Sequence, residues 1–186
     1  MKKLEKYLLL LTISIFILGF ICFYLLKKNI SNNLETKSQN VKLSWQTFND
    51  QLNERDSLLN TQVLNKTDSL YYYLGKSKSE RKNESNSIEI VFDEYEINKY
   101  ILEKFPISDE NISKLNNSLN TFKTNFNSVV KDYNLYFSTF PNFFFAKKMN
   151  LHRAKYFEIE YGIENEDPIE KSKELPEWAK NVDTIL

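Results

Sequence analysis

The sequence predicts an all-α protein, an N-terminal transmembrane helix followed by an elongated antiparallel bundle of three to four helices. Three observations predict it. The first is an uncharged run of twenty residues, Tyr7 to Leu26. The second is a set of apolar stripes with steps of three and four, the mark of helices with one buried face. The third is composition: 3 Gly and 4 Pro in 186 residues are few for a strand-and-turn fold. The 25 basic residues equal the 25 acidic ones. Without an excess of base, nucleic acid is not expected as a partner. The single cysteine, Cys22, lies in the apolar run, so no internal disulfide can form.

Twenty helical residues rise ~30 Å, the thickness of a bilayer's hydrocarbon core. The run exceeds the core of a cleaved signal and lacks a small-residue cleavage site. Ile21 before Cys22 does not suit a lipoprotein signal. Tyr7, Phe23 and Tyr24 stand where interfacial aromatics would. Residues 7–26 are therefore read as a retained anchor in contact with membrane lipid. Lys2, Lys3 and Lys6 precede it, and Lys27 and Lys28 follow. That balance leans slightly toward a cytoplasmic N-terminus and an extracytoplasmic domain. No other stretch is as long and apolar, which predicts a single pass.

The expected organisation is a basic tail at 1–6, the anchor at 7–26, a bundle at 30–162 and an acidic, loosely ordered tail at 163–186. In the bundle, Leu34, Val41, Trp45, Phe48, Leu52 and Leu59 form a first stripe, sustained to about Leu74. No proline interrupts it, so this helix is expected to continue from the anchor. Gly75 opens a charged, serine-rich stretch that reads as a loop at about 75–87. Ile88, Val91, Phe92, Tyr95, Ile101 and Leu102 follow. "IEIVF" also fits a strand, but no pairing partner is near, and helix is favoured. Pro106 closes this element, and Ser108 or Asp109 caps the next.

The most regular stripe runs from Ile112 through Leu115, Leu119, Phe122, Phe126, Val130, Tyr133 and Phe137 to Phe140, in steps of three and four. Such a seam belongs to a helix packed along its whole length. Pro141 ends it. A short final helix is expected around Leu151 to Tyr161, before a tail holding Pro168 and Pro176.

Several motifs resemble the LemA family of bacterial membrane-anchored proteins. "WQTFNDQLNERDSLLNTQV" (45–63) resembles the family's tryptophan-led first helix, with Trp45, Gln51, Leu52, Arg55, Leu58 and Leu59 in step. Ser57 stands where the family usually has aspartate, and Asn60 where it has proline. "KFP" (104–106) resembles its Tyr-Pro turn. "KTNFNSVVKDYNLYFSTFPNFFFA" (123–146) resembles its aromatic-Asn signature. There Lys123 replaces arginine, Phe126-Asn127 and Tyr133-Asn134 form the pairs, and Phe140-Pro141 and Ala146 follow. "YFEIE" (156–160), with Phe157, resembles a downstream Phe-Glu. The resemblance implies an anchored helical bundle and lends a fold rather than an activity.

Among individual residues, Asn127 and Asn134 lie one above the other, suited to fixing the register of neighbouring helices or to lining a polar strip. Arg55 interrupts the first stripe and, if buried, needs a carboxylate or amide partner. His152, the only histidine, reads as a surface or packing residue. Glu158, Glu160, Glu164, Glu166, Asp167 and Glu170 read as a solvated face, as do Asp93, Glu94 and Glu96. Phe143, Phe144 and Phe145 cannot all share one face, so they either cap the bundle or touch a partner or lipid.

No phosphate loop, nucleophile elbow or HExxH motif is present. Neither catalytic or metal-binding residues nor a cofactor are expected. The predicted function is a non-enzymatic scaffold or protein-interaction module at the bacterial inner membrane, with an unnamed protein partner and self-association compatible with it. The alternative is a ligand-sensing module that relays through its membrane helix.

Overall fold

Apolar side chains recurring mostly at steps of three, four and seven place a long stripe on one side of the N-terminal half of the chain, and one helix carries it from Ile30 to Leu59. The computed structural model describes residues 2–62, 69–82, 87–104 and 110–174. Helix α1 spans Lys2–Gln62, followed by α2 (Ser69–Arg81), α3 (Ile88–Lys104), α4 (Glu110–Ser138), α5 (Asn142–Lys148) and α6 (Pro168–Glu174). No strand occurs among the described residues. At 61 residues, α1 is long enough to span ~90 Å. It holds both the exposed apolar run and the buried stripe from Ile30 to Leu59.

The helices α1 and α4 run antiparallel along the bundle. Phe23 meets Phe145, Trp45 meets Phe126, and the Ser118 hydroxyl donates to Gln51, so numbers rise on one helix as they fall on the other. An aromatic cluster of Trp45, Phe48, Phe126, Phe157 and Tyr161 fills the middle, with ring centroids 5.0–6.5 Å apart. Toward the far end, Leu59, Leu70, Leu74, Ile97, Ile101 and Ile112 form a second apolar cluster joining α1, α2, α3 and α4.

Several boundaries differ from the sequence reading. The first stripe is divided between two helices, and α2 folds back on α1. The expected loop does not begin at Gly75, because α2 continues to Arg81. The reason is that Ser77 and Arg81 face inward to bonding partners instead of out to water. "IEIVF" is the start of helix α3. Helix α4 ends at Ser138, before the turn at Thr139 to Pro141. Phe140, counted in the seam, is consequently 76% exposed. The Phe105-Pro106 turn, the Ser108 or Asp109 cap and Pro176 lie outside the described residues.

No final helix forms at residues 151–160, which lack regular secondary structure. Their burial alternates: Phe157, Ile159 and Tyr161 point inward, whereas Tyr156 and Glu158 are exposed. Backbone groups in such a segment need partners, and asparagine side chains supply them. The Asn134 amide donates to the Ala154 carbonyl and accepts from its N–H, at 2.8 and 2.9 Å. Asn127 does the same to Phe157, and Asn120 to Tyr161. A carboxamide carries the donor and acceptor of a peptide group, so each asparagine stands in for a residue of a neighbouring strand. Seven residues of helix rise ~10.5 Å, which the three residues from Ala154 to Phe157 cover when extended at ~3.3 Å each and the four from Phe157 to Tyr161 cover with slack. Heptad-spaced asparagines on α4 can therefore hold an extended segment over their whole length.

The segment turns at Gly162, whose φ is +86° and where a Cβ would lie 2.8 Å from the Asn116 amide nitrogen. Asn98 closes the turn by accepting from the Gly162 N–H and donating to the Ile163 carbonyl. The tail beyond was expected to be loose. Its described part instead forms α6, with Asp167 accepting from the Ile169 N–H and the buried Pro168 at the first helical position. Aspartate before proline is a favourable helix start.

Replacing Asn127 by leucine leaves both Phe157 backbone groups unpaired. The expected result is a loss of about 1–3 kcal/mol in urea unfolding. Amide exchange at Phe157 should accelerate by more than at Ala154 or Tyr161. Unchanged exchange at Phe157 would contradict the ladder.

Candidate functional site

Three helices each place polar residues where their apolar stripes require a core residue. On α1 the sequence of positions is Leu52, Arg55, Leu59; on α2 it is Leu70, Leu74, Ser77, Arg81; on α3 it is Ile90, Glu94, Ile97, Ile101. Arg55 and Glu94 are each 0% exposed, and Asp56, Ser77 and Arg81 are buried with them. Glu94 is the hub. Its Oε1 accepts from Arg55 Nη2 at 3.0 Å, Ser77 Oγ at 2.7 Å and Arg81 Nη1 at 2.6 Å. Its Oε2 accepts from Arg55 Nη1 and from the Tyr161 hydroxyl. Asp56 completes the set, bonding Arg55 through Oδ1 and Arg81 through Oδ2. Two guanidinium and two carboxylate groups thus balance to zero charge.

Electrostatics keep Glu94 and Arg55 ionised. Burial alone would push the Glu94 carboxyl up, but Arg55 and Arg81 outweigh it and hold it well below its ordinary value. Burial likewise opposes the charge of Arg55, and Glu94 and Asp56 overcome it. Burial, then the neighbouring Glu94 carboxylate, pushes the Tyr161 phenol well up, so Tyr161 stays a hydrogen-bond donor. Beside this cluster, Asp93 is pushed up to about 6 by burial, and Lys76, bonded at 2.8 Å, offsets only part of that. Its Oδ2 has no hydrogen-bond partner among the described residues.

Glu94 and Asp93 were expected on a solvated face, and both are buried. Charge was taken as a sign of exposure, whereas the step of four from Ile90 and three to Ile97 marks Glu94 as a seam position. Arg81 was missed for the same reason. Arg55 was singled out from its place in the stripe, and it meets two carboxylates.

The other site residues fall into groups. Trp45, Phe126 and Phe157 are core aromatics. Tyr133 is buried and donates to the His152 carbonyl, while His152 itself is exposed. Lys123 is buried and paired with Glu160; Glu158 pairs with Lys171 at 2.7 Å. Ala146 is fully buried, and Pro141 half-buried. The three phenylalanines diverge: Phe145 packs toward the core, Phe143 is half-buried and Phe144 is 53% exposed.

Residues 103–170, from the end of α3 into α6, match the model of the LemA family. This stretch is a LemA family domain. No curated protein and no solved structure matches the chain. The LemA stretch contains the asparagine ladder, Lys123, the Phe140-Pro141 turn, α5 and Tyr161. Trp45, Gln51, Arg55 and Glu94 lie outside it, so the ionic cluster joins the LemA stretch, through Tyr161, to the helices before it.

The two acids titrate with opposite consequences. The folded value of Asp93 lies above its ordinary 3.8, so between about pH 4 and 6 the folded state holds the extra proton and stability falls as pH rises. The folded value of Glu94 is depressed from 4.5, so its contribution is lost as pH falls below that. Stability is therefore expected to gain about 1 kcal/mol from Asp93 between pH 7 and 5, then to decline in more acid solution. In Asp93→Asn the gain should vanish while the acid decline remains. Identical pH profiles for the two proteins would refute the assignment.

Proposed function

We propose that the chain is a single-pass membrane protein whose LemA-containing bundle is a non-enzymatic scaffold or protein-interaction module at the bacterial envelope. One observation carries the reading. Every residue from Tyr7 to Leu26 is exposed, although the same helix, from Ile30 to Leu59, supplies the bundle's most buried stripe. An uncovered apolar surface of that size is unfavourable in water and suits lipid. A lone helix of this composition near an N-terminus also passes as a signal sequence by length and hydropathy. The run continues without a break into the helix that carries the buried stripe, which favours retention.

The charged groups of the interior support a structural role. Glu94, Asp56, Arg55 and Arg81 pair with one another, leaving Arg81 Nε without a hydrogen-bond partner among the described residues, and Lys123 engages Glu160. A groove of about 300 Å³ beside Gly162 is open, and its one ionisable acid is that same Glu160. The continuity of α1 also favours a second reading, a sensor in which a ligand shifts the bundle and α1 carries the motion into the bilayer. The lysine balance about the anchor leans slightly toward a bundle outside the cytoplasm.

Expressed in a bacterium, the full chain should resist alkaline extraction from membranes and retain its N-terminal residues by intact mass. With Cys22→Ser and Leu58→Cys, an impermeant maleimide should label intact cells. A soluble product trimmed after the apolar run would overturn the anchor, and labelling only after lysis would reverse the orientation. Photo-crosslinkers at the exposed Leu43 and Leu58 should give a discrete protein adduct in membranes. No adduct, with a tight small-molecule hit in a thermal-shift screen, would favour the sensor.

A further inference from the structure

The turn and short helix after α4 have no role in the bundle's core beyond Asn142, Phe145 and Ala146, yet they present the most aromatic surface outside the anchor. We propose that Phe140 and α5 form a second membrane contact, immersed at the hydrocarbon–headgroup boundary of the leaflet from which the bundle emerges. The proposal rests on the reading of residues 7–26 as an anchor.

The height of α5 is the first support. The Phe145 ring lies 6.4 Å from that of Phe23. Phe23 belongs to the last turn of the apolar run, which closes at Leu26 and is followed by Lys27 and Lys28. Helix α5 is therefore level with the edge of the run. It is packed against α1 there and is not held above it in water.

The second support is the surface at that height. Phe140 is 76% and Phe144 53% exposed, with ring centroids 6.0 Å apart, and Phe143 lies 3.8 Å from Phe144. Phe145, next to Phe144 on α5, is the ring that meets Phe23, and Phe23 and Tyr24 are themselves exposed on the anchor. The exposed rings thus belong to the same turn and short helix that touch the surface already assigned to lipid. Aromatic rings are favoured at this depth, and interfacial helices sink their apolar face ~5–10 Å below the headgroups.

Charge is the third support. Although the chain is neutral overall, no acidic residue occurs between Asp132 and Glu158, or between Glu5 and Glu35. Lys27, Lys28, Lys147 and Lys148 are all exposed. The chain segments that carry the aromatic patch and the edge of the run therefore offer four exposed ammonium groups and no acid to repel anionic headgroups. A bilayer containing anionic lipid fits both features. A second copy or a soluble protein would have to cover the rings at a height where lipid already surrounds Phe23.

Depth measurements test the proposal. The full chain carrying Cys22→Ser is reconstituted in vesicles of phosphatidylcholine and phosphatidylglycerol. Single cysteines replace Phe140 or Phe144, with Phe16→Cys as a reference for the bilayer and Leu58→Cys for water. Spin labels at these sites are compared for collision with oxygen, which concentrates in hydrocarbon, and with a water-soluble nickel chelate. All four positions are exposed, so the fold should persist, with unchanged circular dichroism as the control. The oxygen-to-nickel ratio at 140 and 144 is expected to be severalfold higher than at 58 and lower than at 16. A ratio at 144 equal to that at 58 overturns the proposal, as does shielding of 144 from both reagents, which would mean a protein covers it. If the label at 16 is itself water-exposed, the anchor reading fails as well, and that outcome is distinct from a failure at 144 alone.

Discussion

Two arginines and two carboxylates neutralise one another in the interior, and the arrangement of the helices beyond the apolar run depends on that balance. Each ion loses several kcal/mol of hydration on burial, which only close, well-hydrogen-bonded partners restore. Arg55 and Asp56 come from α1, Arg81 from α2 and Glu94 from α3. Sliding any of these helices by one turn would move its charge ~5.4 Å and leave buried ions unpaired. Apolar stripes alone tolerate such slips, since one leucine replaces another. The cluster penalises every register but one.

Tyr161 extends this constraint to the rest of the chain. Its hydroxyl donates to Glu94, and its backbone is held by Asn120, the top rung of the asparagine ladder. From there the segment descends along α4 through Phe157 and Ala154 to the neighbourhood of α5 and the anchor. Between the ionic cluster and the membrane end, the third element packed on α1 and α4 is therefore an extended segment and not a helix. Its inward rings, Phe157 and Tyr161, complete the aromatic cluster around Phe48. Register at the far end and packing near the membrane are thus parts of one connected set of contacts.

How much of this could be read from the sequence depended on whether burial followed hydropathy. The run at 7–26 is apolar on every side and shows by its length, whereas the α1 stripe and the α4 seam are apolar along one face, so their period is visible. For α3 the lack of a nearby pairing partner decided against a strand at "IEIVF", which is helical. Glu94 and Arg81 were hidden because a charge ordinarily signals solvent, and only their positions between core residues betray them. The segment at 151–160 was misread as a helix, although Tyr156 to Tyr161 alternates and Asn120, Asn127 and Asn134 recur at intervals of seven. Recognising it required seeing that side-chain amides can substitute for a neighbouring strand. Phe140 kept the spacing of the seam beyond the end of its helix, where spacing no longer determines direction.

A double-mutant cycle between Arg55 and Glu94 tests the central role of the cluster most directly. Arg55→Met, Glu94→Met and the pair would be compared by urea unfolding of the full chain in detergent micelles. Either single change strands a buried charge and is predicted to cost about 3–5 kcal/mol. The pair leaves Arg81 and Asp56 to neutralise each other, so its cost should fall well below the sum and near that of one single change. Additive costs, or single costs under about 1 kcal/mol as for exposed pairs, would show that the cluster does not hold the bundle in register.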